Sequence, residues 1–107
     1  MKEANYICQI NNTHLTFLTK YNVQYMEGHH LIPCTMINAK YFKEKFNKNI
    51  DCVENIVCIC PNCHRAVHFG QWDIKEKLII KMFNQQLEKL MNIGINITVK
   101  ELLELYI

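Results

Sequence analysis

Hydrophobic and polar positions divide the chain into segments with different periods. Residues 21–32 alternate in part, with Tyr21, Val23 and Tyr25 against Asn22 and Gln24. The segment closes on Leu31-Ile32, so the pattern predicts a strand stopped by Pro33. Residues 35–47 change to a helical period, with Met36, Ile37, Tyr41, Phe42 and Phe46 on one side and Thr35 placed to cap the start. Asn47 to Asn55 is polar and reads as a loop. Ile56-Val57-Cys58-Ile59 is a short β-branched run that predicts a second strand. Pro61 suits the first turn of a helix through about Phe69, ended by Gly70 as a C-cap. An amphipathic stripe from Ile74 to Ile93 predicts a long helix terminated by Gly94. Thr98 and Glu101 then form a capping box for a last helix through Tyr106.

Such apolar helical stripes ordinarily mean packing, with an oligomer contact as the further use. At 107 residues the expectation is a single domain, 1–107. Within it, 1–20 is an N-terminal segment of weak period, 21–70 a strand–strand–helix core, and 71–107 a set of C-terminal helices. The fold class expected is α+β. A chain this short buries a limited core, so a metal staple would stabilise it.

Half of the residues are hydrophobic and 21% are charged, which is globular rather than disordered composition. No apolar run reaches the ~18–20 residues that cross a bilayer. The opening Met-Lys-Glu-Ala-Asn-Tyr lacks the basic-then-apolar pattern of a signal peptide. The expectation is a cytoplasmic protein without a membrane partner. A net charge of +2 does not by itself point to nucleic acid. It suits an enzyme that grips a few phosphates while another domain or subunit supplies further binding.

The chemistry is concentrated in two segments. One is Glu27-Gly28-His29-His30-Leu31-Ile32-Pro33, and the other runs from Asn55 to His68 through Cys60-Pro61-Asn62-Cys63-His64-Arg65. They hold four of the five histidines, His14 being the exception. Adjacent strand side chains face opposite ways, so His29 and His30 suit different jobs, one holding a metal and the other moving protons. His64 and His68, four apart on a helix, share a face. Six cysteines, at 8, 34, 52, 58, 60 and 63, would allow three disulfides in a secreted chain. Without secretory context, Cys60-x-x-Cys63 beside histidines favours metal instead.

These two segments, EGHHLIP followed by IDCVENIVCICPNCHRAVHFG, resemble the HNH family, also called ββα-metal or His-Me finger nucleases, and are similar to its bacterial restriction endonucleases. The likeness is strong over 27–70, weaker over 8–26 and merely compatible beyond 71. It implies a ββα-metal core and a metal-dependent DNA endonuclease of restriction or mobile-element biology. In that reading His30 is the general base, since a neutral imidazole accepts a proton at cellular pH. His29 and His64 hold the catalytic cation, His68 assists it or contacts phosphate, and Asn55 braces the loop between the strands. Glu27 orients a histidine or joins the metal shell, unless it is an ordinary solvated carboxylate. Arg65 is a candidate phosphate contact, although helix arginines are commonly just exposed. Imidazoles suit zinc, nickel, cobalt and, less well, manganese, while water and phosphate oxygens leave room for magnesium.

Many HNH domains also close two Cys-x-x-Cys pairs on a structural zinc. Here only Cys60 and Cys63 form such a pair; Cys8 is followed by Gln9, Ile10 and Asn11. The nearest soft ligand is His14, so the expected zinc set is Cys8, His14, Cys60 and Cys63. Cys58 is the rival fourth ligand, and Cys34 and Cys52 are expected to be buried small hydrophobes. DNA is the expected partner. One compact site cuts one strand, so duplex cleavage calls for a homodimer, through the C-terminal helices, or a larger restriction-type assembly. The competing readings are a zinc-dependent DNA-binding module without catalysis and a purely structural zinc domain.

Overall fold

A computed structural model describes residues 4–107, so the first three residues of the expected N-terminal segment lie outside the described residues. The elements in chain order are strand β1 (Glu27–His30), helix α1 (Met36–Phe46), a 3₁₀ turn (Val53–Asn55), strand β2 (Ile56–Ile59), and helices α2 (Pro61–Phe69), α3 (Trp72–Asn92) and α4 (Val99–Glu104). The fold is α+β, as expected. The strands pair antiparallel, with Glu27 opposite Ile59, Gly28 opposite Cys58, His29 opposite Val57 and His30 opposite Ile56.

The strand expected over 21–32 is shorter than its pattern suggested. Asn22 takes a left-handed backbone (φ 61°), and a single bridge, Leu18 to Gln24, replaces pairing there. Leu31 and Ile32 are fully buried beyond the end of β1. There the Asn55 side chain takes over from the ladder. Its Oδ1 accepts from the Ile32 amide at 2.8 Å, and its Nδ2 donates to Ile32 O at 3.0 Å and Ile50 O at 2.8 Å. Asn55 is wholly buried, and this wiring satisfies it and closes the long β1–β2 connection that contains α1.

Helix ends follow the sequence closely. Thr35 caps α1 by accepting from the Asn38 amide at 3.1 Å. Thr98 and Glu101 make the reciprocal capping box of α4. Helix α3 begins at Trp72, two residues before the stripe suggested, and α4 ends at Glu104 rather than Tyr106. Gly94 has φ +90° and its amide bonds Met91 O, while the Ile95 amide bonds Leu90 O. That is a Schellman ending, with Ile95 and Leu90 both buried behind it. Gly70 stops α2 for a different reason from the one expected. Its φ is −69°, but a Cβ there would sit 2.5 Å from Ala66 O.

Helix α3 is the backbone of the core. Ile79, Met82 and Leu90 share one cluster with β2 and α2 residues such as Val57, Ile59 and Val67, all almost completely buried. Burying each such side chain contributes about 1.5–3 kcal/mol. Gln86, also buried, donates to Glu54 O at 2.9 Å and ties α3 to the 3₁₀ turn. Among the described residues no helix is long and apolar enough to cross a membrane. Two cysteine expectations fail. Cys34 is exposed and Cys52 only half-buried, because Cys34 follows Pro33 on the surface turn into α1 and Cys52 precedes the 3₁₀ turn.

Candidate active site

Helix α2 separates two clusters of metal-ligating side chains. At its start, Cys60 occupies the N-cap, where its Sγ accepts from the Cys63 amide at 3.4 Å. Cys63 lies one turn in, and the N-terminal segment brings up Cys8 and His14. The potential ligand atoms of these four residues all lie within 4.8 Å of one another. Cys8 Sγ is 3.9 Å from Cys63 Sγ, and His14 Nδ1 is 3.8, 3.8 and 3.3 Å from the sulfurs of Cys8, Cys60 and Cys63. A tetrahedron with Zn–S near 2.3 Å and Zn–N near 2.05 Å has edges of about 3.8 Å between sulfurs and about 3.6 Å from sulfur to nitrogen. The spacing and the soft donors fit zinc. All six cysteines are free thiols, which removes the disulfide reading. Cys58 is buried and opposite Gly28, outside this group.

Burial pushes the Cys8 thiol up, yet backbone donors around Cys60, Asn11 and Ile10 and the His14 side chain outweigh it and bring it down to about 7. Burial and the neighbouring thiols push Cys63 far upward. Three thiols crowded without a cation cannot all ionise, and a dication relieves that conflict.

His64, the residue after Cys63, and His68, one turn later on α2, meet His29 of β1. Their ligand atoms again lie within 4.8 Å, with ring centres 5.3 Å (His29–His64), 5.2 Å (His29–His68) and 4.9 Å (His64–His68) apart. His29 is 4% exposed, whereas His68 faces solvent. Neighbouring acceptors set the tautomers. Glu27 Oε1 lies 2.9 Å from His64 Nδ1; a carboxylate only accepts, so Nδ1 carries the proton and Nε2 keeps the lone pair. That Nε2 stands 3.2 Å from His68 Nε2. His64 and the Tyr25 hydroxyl, 2.7 Å from Glu27 Oε2, hold Glu27 below the usual carboxylate range. Tyr106 donates its hydroxyl proton to Leu31 O, so His29 Nε2, 2.8 Å away, donates to the phenol oxygen and keeps its lone pair on Nδ1. Burial and the nearby imidazoles push His29 down to about 3, which keeps it neutral as a metal ligand must be.

His30, the neighbour of His29 on β1, turns to a different partner. Its Nε2 lies 2.9 Å from Asp51 Oδ1. The same tautomer argument leaves its lone pair on Nδ1. Both histidines open onto one cleft of about 560 Å³ that Lys75 and Tyr106 also line. Arg65 is exposed and outside that lining. Sequence reasoning missed Asp51, Tyr106 and Lys75. Asp51 carried no signal beyond being one acid in a polar loop, and Tyr106 lies 77 residues from His29.

The three-imidazole group suits a divalent cation with open positions for water or phosphate, in contrast to the filled Cys/His set. Residues 7–75 match the family model described as HNH endonuclease. The Type IV methyl-directed restriction enzyme EcoKMcrA of Escherichia coli (strain K12) is 27% identical over 90 residues, which is 84% of this chain and 27% of that protein. This chain therefore spans about a quarter of the length of the relative it matches. No solved structure matches. The matched span takes in both histidine segments and the Cys60–Cys63 pair, and by it the chain belongs to the HNH endonuclease family.

Proposed function

We propose that this chain hydrolyses DNA phosphodiester bonds as the nuclease portion of a restriction-type system, with His30 as general base and one divalent cation held by His29, His64 and His68. The observation that carries the reading is the meeting of three imidazoles in one cluster while a fourth, His30, faces the same cleft from beside it. The restriction relative supports DNA as the substrate class.

His30 Nδ1 accepts a proton from water, and the oxygen of that water attacks phosphorus in line with the leaving 3′ oxygen. The bond from phosphorus to the 3′ oxygen breaks, leaving a 5′ phosphate and a 3′ hydroxyl, which takes its proton from solvent. Asp51 stabilises the imidazolium that forms and fixes the ring's tautomer, a positioning role. Glu27 and Tyr106 do the same for His64 and His29. A divalent cation at this cluster, whether magnesium, manganese, nickel, cobalt or zinc, supplies Lewis-acid stabilisation of the phosphate charge. Lys75 lines the cleft and is better placed than Arg65 to hold a phosphate oxygen. Asn55 positions His30 and Asp51 together through Ile32 and Ile50. Zinc at Cys8, His14, Cys60 and Cys63 would pin the N-terminal segment to α2. Cleavage of both strands then needs two active sites, from a homodimer or a larger assembly, or two successive events.

Plasmid nicking with manganese, magnesium or nickel tests this. Wild type should cut, and His30→Ala should lose about 10²–10⁴-fold in rate while keeping its zinc and its melting temperature. A fully folded wild type that binds DNA without cutting it under any of these ions would return the chain to the binding-module reading.

A further inference from the structure

We propose that His30, Cys34 and Asp51 form a second, exposed metal site, selective for soft cations, whose occupation by zinc switches the nuclease off. The proposal rests on reading His30 as the base. Ligand atoms of the three residues lie within 4.8 Å of one another, and all three are open to solvent, with side chains 35% exposed at His30 and 67% at Asp51.

Nitrogen, sulfur and carboxylate oxygen make a three-donor set that leaves zinc a further position for water. The backbone on either side is braced. Asn38 Nδ2 donates to Pro33 O at 2.9 Å next to Cys34, and the Asp51 amide donates to Asn49 Oδ1 at 2.9 Å. Asn55 ties Ile32 to Ile50, so the two loops that carry Cys34 and Asp51 are held together.

Occupation silences His30 whichever nitrogen binds. A neutral imidazole that ligates through one nitrogen keeps its proton on the other, so no lone pair remains to accept a proton from water. The Cys34 thiol releases its proton to solvent on binding, and Asp51 turns from holding the tautomer to holding the ion. The thiolate supplies the selectivity. It favours zinc or cadmium over magnesium and manganese, so an ion that supports cleavage at the three-imidazole cluster need not fill this one.

The test uses the full chain with its zinc-loaded Cys8/His14/Cys60/Cys63 site. Alkylation of Cys34 by iodoacetamide, followed by peptide mass spectrometry, should slow about tenfold or more when micromolar zinc is added, and Asp51→Asn should weaken that protection. In manganese-supported nicking, Cys34→Ser should cut at the wild-type rate without added zinc. It should need about tenfold more zinc, or more, for half inhibition. Unchanged Cys34 alkylation in the presence of zinc would overturn the proposal. So would equal zinc inhibition of wild type and Cys34→Ser, which would place the inhibitory ion at His29, His64 and His68. Should the chain not cut DNA at all, the alkylation result still decides whether the site exists.

Discussion

The two metal-ligating clusters that α2 helps to build have opposite character. In one, three cysteines are almost fully buried with a half-buried imidazole, and the distances among them already trace the edges of a tetrahedron. In the other, three imidazoles run from buried His29 to exposed His68 along an open cleft. A filled, soft, buried set can hold an ion but cannot offer it to a substrate; an open set can. The contrast teaches that one short helix can serve a closed and an open donor set side by side, and the proposed division of stability from chemistry can be broken from either side.

Removing a zinc ligand should have the largest effect. A structural zinc is worth an apparent ~10–16 kcal/mol, as much as the whole stability of a typical domain at ~5–15 kcal/mol. Cys8→Ser should therefore lose its zinc and most of its helical signal, as read by metal analysis and circular dichroism. A folded, zinc-free Cys8→Ser would contradict the division. His64→Ala should do the reverse, keeping zinc and melting temperature while manganese-supported cleavage falls about 100-fold or more.

The pattern of burial in the open cluster makes a pH prediction. His29 titrates near its ordinary 6.5 when unfolded but near 3 when folded. Between those values the unfolded chain binds the extra proton, so the zinc-loaded protein with its open cluster empty loses stability as pH falls below 6.5, by up to about 1.4 kcal/mol per unit. Denaturant titrations at several pH values should show a shallower slope for His29→Asn. Equal slopes for the two proteins would remove His29 as the cause.

The smallest effect belongs to Tyr106→Phe. Without the hydroxyl, His29 Nε2 loses its acceptor and Leu31 O its donor. Manganese affinity at the open cluster should fall about 10–100-fold, measured by calorimetry, with zinc content unchanged.

Much of this was legible in the sequence where the signal was local. Cys60-x-x-Cys63 and the four-residue step from His64 to His68 declare shared faces of one helix, and Thr98 with Glu101 declares a cap. His29 and His30, neighbours on a strand, turn to different partners. What escaped was long-range or depended on the course of the backbone. The alternation of Tyr21, Val23 and Tyr25 reads as strand, yet the left-handed Asn22 and the Leu18–Gln24 bridge end regular pairing there. Cys34 reads as a small hydrophobe until Pro33 turns it to solvent. Asp51 and Tyr106 find their histidines only through the closure made by Asn55 and the packing of the C-terminal residues against β1.

The claim that the open cluster is the one that holds the catalytic cation is tested most directly by anomalous diffraction from crystals of the zinc-loaded chain soaked in manganese. The expected result is a manganese peak within about 2.3 Å of ring nitrogens of His29, His64 and His68 and a zinc peak among Cys8, His14, Cys60 and Cys63. Manganese bound elsewhere, with no peak among the three imidazoles, would contradict it.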